Sequence, residues 1–403
     1  MRILVADKFE DSGLTGLRDL GVEVLYEPDL KDDALCNALE ATEAEVLVVR
    51  STQVPGSAME CSKLALIVRA GAGTNNIDTN AASARGILVT NCPGKNSYAV
   101  AELAFGLILA CDRHIPDCVS DLRAGRWDKK RFSKARGLYG RTLGLIGLGR
   151  IGQEMITRGR AFGMNVVGFA RWLTPDVTAA LGIGRAETPL ELAAMADVVS
   201  VHVALTPDTR AMLGKEFFDT LRPGAIFVNT SRAEVVDQAA LEEAVRGGRV
   251  VAGLDVFEGE PSAGQASYDG SLRNLPNVFC THHIGASTDQ AQEAIAAEVV
   301  RIVRDYQSSG SAPNVVNVKR AEMATHLLVV RHIDRVGVLA GVLGKLKDEG
   351  VNVQEMENIV LGGAKAAIAQ ISVDKEPSKD VLLKIKLDDS VFDASVFPIR
   401  RVM

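Results

Sequence analysis

Cysteine is sparse and follows no pairing pattern. Cys36, Cys61, Cys92, Cys111, Cys118 and Cys280 are scattered with no C-x-x-C among them. That argues against a disulfide framework or a zinc site and for reduced thiols in a cytoplasmic protein. No charge of one sign dominates either: Lys plus Arg number 45 and Asp plus Glu 51, a formal net charge of −6. Sequence-independent binding to nucleic acid or to an anionic membrane surface therefore has no support. Long hydrophobic runs are also missing. The longest, 99–111, is broken by Glu102 and falls short of the about 20 residues a bilayer requires. The first apolar run ends at Asp7, before it reaches the roughly 7–15 residues of a signal-peptide core. The expectation is a soluble protein with no metal, no nucleic acid and no membrane partner.

What remains is ordinary globular composition, 47% hydrophobic and 24% charged over 403 residues, enough for two to four domains at roughly 100–200 residues each. Short β-branched runs at 2–6, 23–26, 45–49, 64–68 and 87–89 alternate with helical stretches, which predicts βα units and a parallel sheet. A helical segment follows over 97–112, and a second series of strands is expected at 142–146, 165–169, 198–202, 225–229, 250–254 and 278–281. Past Thr288 a helix is predicted to about Tyr306, and the Ser/Gly/Pro stretch 308–313 punctuates the chain as linkers do. The remainder, from about Thr325, reads as strand, helix, strand, a Gly362–Gly363 turn, strand, helix, strand, the βαββαβ order of a ferredoxin-like module.

The most specific motif follows the first strand of the second series. In Leu143-Gly-Leu-Ile-Gly-Leu-Gly-Arg-Ile-Gly-Gln153, Gly147, Gly149 and Gly152 form G-x-G-x-x-G between an apolar strand and a helix. The first glycine permits the tight turn, the second lets backbone approach a pyrophosphate, and the third lets the helix pack closely with its N-terminus toward the negative charge. Arg150 and Ile151 lie inside the motif. Such sites commonly end the next strand in an acid that binds the ribose hydroxyls. Here Val166-Val-Gly-Phe169 ends in Ala170-Arg171. Arg171 suits a ribose 2′-phosphate or stacks on adenine, and a solvated Arg171 with NAD held through other contacts is the competing reading; NAD and NADP both stay open.

Three further segments each end a strand, where an open parallel sheet puts its ligand: Val228-Asn-Thr-Ser-Arg232, Gly253-Leu-Asp-Val-Phe-Glu-Gly-Glu-Pro261 and Thr281-His-His-Ile-Gly-Ala-Ser-Thr288. One Arg, one carboxylate and one His brought together there suit oxidation of an alcohol beside a carboxylate. An imidazole can accept the hydroxyl proton, a carboxylate can stabilise its cation, and a guanidinium can grip the substrate carboxylate.

Together these residues resemble the D-isomer-specific 2-hydroxyacid dehydrogenase family, over about residues 2–318. Arg69-Ala-Gly-Ala-Gly-Thr-Asn-Asn-Ile-Asp78 is similar to its substrate loop, Asn91-Cys-Pro-Gly-Lys-Asn-Ser97 with Val100-Ala-Glu102 to its hinge, and His202-Val-Ala-Leu-Thr-Pro207 to its cofactor-side loop. The resemblance implies two doubly wound α/β domains, a split substrate domain (1–97 and 289–317) and an inserted Rossmann domain (98–288), followed by a ferredoxin-like module (318–403). It assigns Arg232 to the substrate carboxylate, Glu260 to the acid partner and His283 to the proton acceptor, with His282 where the family commonly has Pro. Asp255 is expected beside the nicotinamide carboxamide, and His202, Thr206 and Thr230 beside the dinucleotide. Arg50, Ser51, Arg69, Gly71, Lys95 and Asn96 fall on the loops expected to hold substrate, with Arg50, Arg69 and Lys95 suited to a phosphate.

Two departures bear on the substrate: Ala233-Glu234 follows Arg232 where a Gly is common, and the Arg50 loop is one residue short. Arg331-His-Ile-Asp-Arg-Val-Gly-Val-Leu339 with Gly350-Val-Asn-Val353 resembles an ACT domain, an amino-acid-sensing unit, with His332, Asp334 and Asn352 on its ligand positions and Val336 where Pro is usual. A module that only dimerises is the other reading. The resemblance implies a homodimer or tetramer, formed through the helical stretch 101–127, that acts on a phosphorylated 2-hydroxy acid with L-serine as effector. The alternatives are a glyoxylate or hydroxypyruvate reductase using NADPH and a non-enzymatic dinucleotide sensor.

Overall fold

A computed structural model describes residues 1–60, 62–261, 266–318 and 323–399. Cys61 lies outside the described residues. The other five cysteines are free thiols.

The first sheet holds β1 (Arg2–Val5), β2 (Glu23–Tyr26), β3 (Val46–Val49), β4 (Leu66–Arg69) and β5 (Leu88–Asn91), all parallel, in the order β2-β1-β3-β4-β5. Ile3, Leu4 and Val5 are successive and all buried, because a parallel sheet is covered on both faces. Leu4, Leu47 and Ile67 pack with Leu35 and Leu39 on one side. Ile3, Val5 and Val48 pack on the other against Leu14, Leu17 and the late helix Asp289–Ser309, through Ile295, Val299 and Ile302. That returning helix is started by Thr288, whose Oγ1 accepts the Ala291 N–H at 3.2 Å, an N-cap that satisfies one of the free donors of the first turn.

The second sheet holds β6 (Thr142–Ile146), β7 (Asn165–Phe169), β8 (Gly184–Arg185), β9 (Val198–Val201), β10 (Ala225–Asn229), β11 (Val250–Leu254) and β12 (Val278–Cys280), in the order β12-β11-β10-β9-β6-β7-β8. All its pairings are parallel. β8 escapes a reading of apolar runs because it is two residues long and begins with Gly. The order reverses between β9 and β6, so the crevice beyond the carboxyl ends of those strands is where such a sheet takes its ligand. The helix Ser97–Arg113 packs on this sheet through Ala104, Phe105 and Ile108 against Leu143, Leu145 and Val228.

Both sheets belong to one compact unit, Met1–Asn317, and a second begins at Val318. Stretch 308–313 is therefore not the free linker its composition suggests. Gly310, at φ +70°, caps the returning helix, and the chain then runs along β5. Thr90 bridges Val315, Val316 N donates to Val89 O at 2.8 Å, and Asn317 Oδ1 accepts from Val89 N at 2.9 Å.

The second unit is an antiparallel sheet of β13 (His326–Ile333), β14 (Val353–Val360), β15 (Ala366–Val373) and β16 (Val391–Pro398), ordered β14-β15-β13-β16. Its core joins Leu328, Val330, Ala369 and Ile371 to Val342 and Leu346 of one helix and Val381 and Ile385 of another. The βαββαβ order stands.

Candidate active site

Beyond β6 the fingerprint takes the shape its glycines allow. Gly147 has φ +93°, and a Cβ there would lie 2.6 Å from the His202 carbonyl oxygen, so only glycine lets the loops after β6 and β9 meet. A Cβ on Gly152 would collide with the Gly147 carbonyl, whereas one on Gly149 would have no atom within 4 Å. The helix Arg150–Ala161 thus starts facing open space. Among the described residues, two buried polar atoms beside this crevice have no partner, His202 Nδ1 and Thr230 Oγ1. Burial holds the His202 ring down to about 3, so it is neutral at any working pH, and its Nε2 meets Ser200 Oγ at 2.9 Å. Open backbone donors at a helix start with two orphaned polar atoms fit a pyrophosphate-bearing dinucleotide. Ile151 is half-buried in the helix's first turn, while Arg150 extends across to Gly94, where a Cβ would meet its side chain.

The loops after β11 and β12 bring Glu260 and His283 together, with Glu260 Oε2 to His283 Nδ1 at 2.6 Å. Glu260 Oε1 accepts the Phe257 N–H at 2.7 Å. Burial alone would push this carboxyl up, but the bonds from His283 and Phe257 N–H and the charges of His283 and Arg232 outweigh it and hold Glu260 below the usual carboxylate range. His283 adopts φ +52°, a left-handed conformation that costs a non-glycine residue energy and needs support from its surroundings. The support is Asp255, buried at 1% exposure. Its carboxylate accepts from Thr281 Oγ1 at 2.6 Å, Ile284 N at 2.9 Å and Gly285 N at 2.9 Å. Three donors of residues 281–285 converge on this carboxylate and tie it to the loop that carries His283.

Across the crevice three guanidiniums approach one another. Burial, then the charges of Arg232 and Arg50, bring Arg69 down to about 10, and its buried Nε has no partner among the described residues. Arg232 donates to its neighbour Ser231 O at 2.7 Å and lies against Gly73, where a Cβ would strike its Nη2. Gly71 is likewise packed on Arg69, at φ +149°. Among the described residues no carboxylate forms an ion pair with Arg50, Arg69 or Arg232. The loop of Arg50 is held by Asp7, which accepts from the backbone N–H of Arg50 (2.6 Å), Ser51 (3.0 Å) and Thr52 (3.0 Å) and from Ser51 Oγ (2.9 Å). The Ser51 hydroxyl is thereby engaged within the protein. Lys95 is not left free with the arginines: its Nζ pairs with Glu298 at 3.2 Å. Asn96 caps no N–H with its side chain and begins the helix Ser97–Arg113.

Elsewhere, Thr206 Oγ1 is 3.1 Å from Thr209 Oγ1 in a tight turn, and Arg171 reaches Asp208 at 3.1 Å. In the second unit His332 is 1% exposed, its Nδ1 donating to Ile333 O at 2.8 Å and its Nε2 meeting the Asn358 side-chain amide at 3.1 Å. Asp334 and Asn352 are exposed. Among the described residues no His/Cys/Asp/Glu group is arranged to hold a metal ion, and no helix is long and apolar enough to cross a membrane.

The sequence reading missed Asp7, Asp208 and Glu298. Asp7 carries a signal, an acid at the carboxyl end of the first strand. The other two carry none, because their partners are far away in the chain.

Residues 105–285 match the family model described as D-isomer specific 2-hydroxyacid dehydrogenase, NAD binding domain. D-3-phosphoglycerate dehydrogenase of Methanocaldococcus jannaschii is 41% identical over 321 residues, 79% of this chain and 60% of that one; the chain spans less than two thirds of this relative's length. An NADPH-dependent glyoxylate/hydroxypyruvate reductase from Sinorhizobium meliloti, solved with NADP and malonate, superimposes with TM-score 0.68 at 31% identity over 78% of this chain and 96% of that one. The NAD+-bound 3-phosphoglycerate dehydrogenase of Entamoeba histolytica gives 0.66 at 25% identity over 79% and 99%. With the crevice, the paired histidine and these matches in agreement, the chain belongs to the D-isomer-specific 2-hydroxyacid dehydrogenase family, with its NAD-binding domain.

Proposed function

We propose that this chain interconverts D-3-phosphoglycerate and 3-phosphohydroxypyruvate in serine synthesis, using the crevice between a substrate lobe (1–97 with 289–317) and a dinucleotide lobe (98–288). The observation that carries the substrate is the convergence of Arg50, Arg69 and Arg232 with no ion-paired carboxylate among the described residues. One guanidinium suffices for a carboxylate, and three call for a second anionic group such as a phosphate.

In this reading Gly147, Gly149, Gly152, His202 and Thr230 hold the dinucleotide, whose nicotinamide supplies the hydride acceptor. Arg232 grips the substrate carboxylate while Arg50 and Arg69 face the phosphate. His283 takes the hydroxyl proton on the ring nitrogen away from Glu260, and the ionised Glu260 stabilises the resulting imidazolium. Asp255 keeps His283 aimed. The exposed Ile115, Val119 and Leu122 of the helix Ile115–Arg123 support a homo-oligomer, and the free thiols suit the cytoplasm. The second unit serves as an ACT-type module for which L-serine is the proposed effector. Ending the chain at Asn317 is expected to leave turnover and remove any response to serine.

The test is kcat/KM in the reductive direction for 3-phosphohydroxypyruvate against hydroxypyruvate. Preference for the phosphorylated acid by about 100-fold is expected from a charge-assisted bonding difference near 3 kcal/mol. Equal rates would move the chain to the hydroxypyruvate reductase reading, and no turnover with either to a dinucleotide sensor.

A further inference from the structure

The strand β7 ends without the acid that commonly meets the adenosine ribose, offering Ala170-Arg171 instead. The structure pairs that arginine with an acid from the loop after another strand. Asp208, 37 residues downstream, places Oδ2 3.1 Å from Arg171 Nη1. It stands on a turn that holds its shape: Thr206 N donates to Thr209 Oγ1 at 2.8 Å, Thr209 Oγ1 donates to Ala204 O at 2.7 Å, and Arg210 N donates to Thr206 O at 3.0 Å. Pro207 at the second position of the turn restricts its backbone further. The turn follows β9, and β9 and β6 flank the dinucleotide crevice.

We propose that Asp208, acting with Arg171, makes this crevice select the free ribose 2′-hydroxyl of NAD over the 2′-phosphate of NADP. The Arg171 side chain is 78% exposed and that of Asp208 72%, so the pair adds little to fold stability. Its effect falls on what binds beside it. A 2′-phosphate carries up to about two negative charges and needs a guanidinium. To supply one, Arg171 must leave Asp208, and the carboxylate then faces the phosphate as a like charge. A hydroxyl meets neither cost. Ala170-Arg171 alone leaves NADP open, and the ion pair tips the site toward NAD.

The inference rests on the dehydrogenase reading only in that a nicotinamide dinucleotide occupies the crevice. Calorimetric titration of the full chain with NADH and with NADPH, without substrate, tests it. Wild type is expected to bind NADH at least about tenfold more tightly than NADPH, and Asp208→Asn to close that ratio about tenfold, as removal of one partly screened like charge allows. The double variant Asp208→Asn/Arg171→Gln is expected to lose the NADPH affinity gained. An unmoved ratio in Asp208→Asn, or NADPH preference in wild type, overturns the inference while leaving the dehydrogenase reading intact. Failure of both dinucleotides to bind wild type overturns both.

Discussion

The carboxyl ends of the two parallel sheets face the same chemistry with opposite electrostatic strategies. Beyond β11 and β12 of the second sheet the acids and the imidazole are matched to one another: Glu260 holds His283, and Asp255 holds the loop that carries it. Beyond the first, Arg69 keeps a buried Nε without a partner among the described residues and stands within reach of Arg50 and of Arg232, which the second sheet sends across from β10. A group that moves a proton must be aimed before substrate arrives, so its supports are built in. Groups that bind anions gain by staying unsatisfied, because the ligand then supplies the missing charge. In the proposed function the completed end is the reacting one and the incomplete end the recognising one.

Four perturbations sharpen or break this contrast. The largest is His283→Ala, expected to lower kcat by about 10³-fold, within the range for loss of a general base, with NADH affinity kept in the same preparation. Near-normal turnover would remove the second sheet's claim to the chemistry. Arg69→Gln is expected to cut kcat/KM for the phosphorylated acid by about 100-fold while the melting midpoint holds or rises, since a buried like-charge contact is relieved. Inorganic phosphate should raise the midpoint of wild type by mass action and that of the variant by less; equal shifts would mean the cluster is not an anion site.

Glu260→Gln is expected to lower turnover by about tenfold and to move the acid limb of the pH profile toward lower pH, because a neutral amide favours the imidazolium less than a carboxylate does. The smallest effect on turnover comes from Glu298, whose contribution is to stability. Bonds from Arg301, together with Lys95 and Asn314, outweigh burial and hold it at about 2. A carboxyl depressed on folding contributes stability above its unfolded value, near 4.3 for Glu, and loses it as pH falls through the folded one. Wild type should lose that increment on acidification from about pH 4 to about pH 2, and Glu298→Gln should lose less in a chemical-denaturation series.

Much of the fold was legible because buried parallel strands read as continuous apolar runs: β6, β7, β10 and β11 begin and end at the predicted residues, as does the less buried strand β2. β8 was not, since two residues beginning with Gly carry no periodic signal. In the site, Glu260 and His283 were legible as residue types at strand ends. Their mutual distance was not, because 23 residues of intervening chain leave it to tertiary packing. The pairing of Lys95 was hidden for the same reason: Glu298, which stands against it, lies on a helix some 200 residues later. The roles of Asp7 and Asp255 as clamps on backbone N–H groups also emerge only once loops from different strands are side by side.

The path of residues 314–317 along β5 has a bearing on self-association. β5 is the last strand of its sheet, and an uncovered terminal strand offers its N–H and C=O groups to any other chain. Asn317 closes that offer with a side chain: its Oδ1 takes the Val89 N–H, and its Nδ2 donates to Ile87 O at 2.8 Å, so one amide group stands in for a peptide of a further strand. Cutting the chain at Pro313 would strip this cover and leave a sheet edge open to aggregation, whereas cutting after Asn317 would keep it closed.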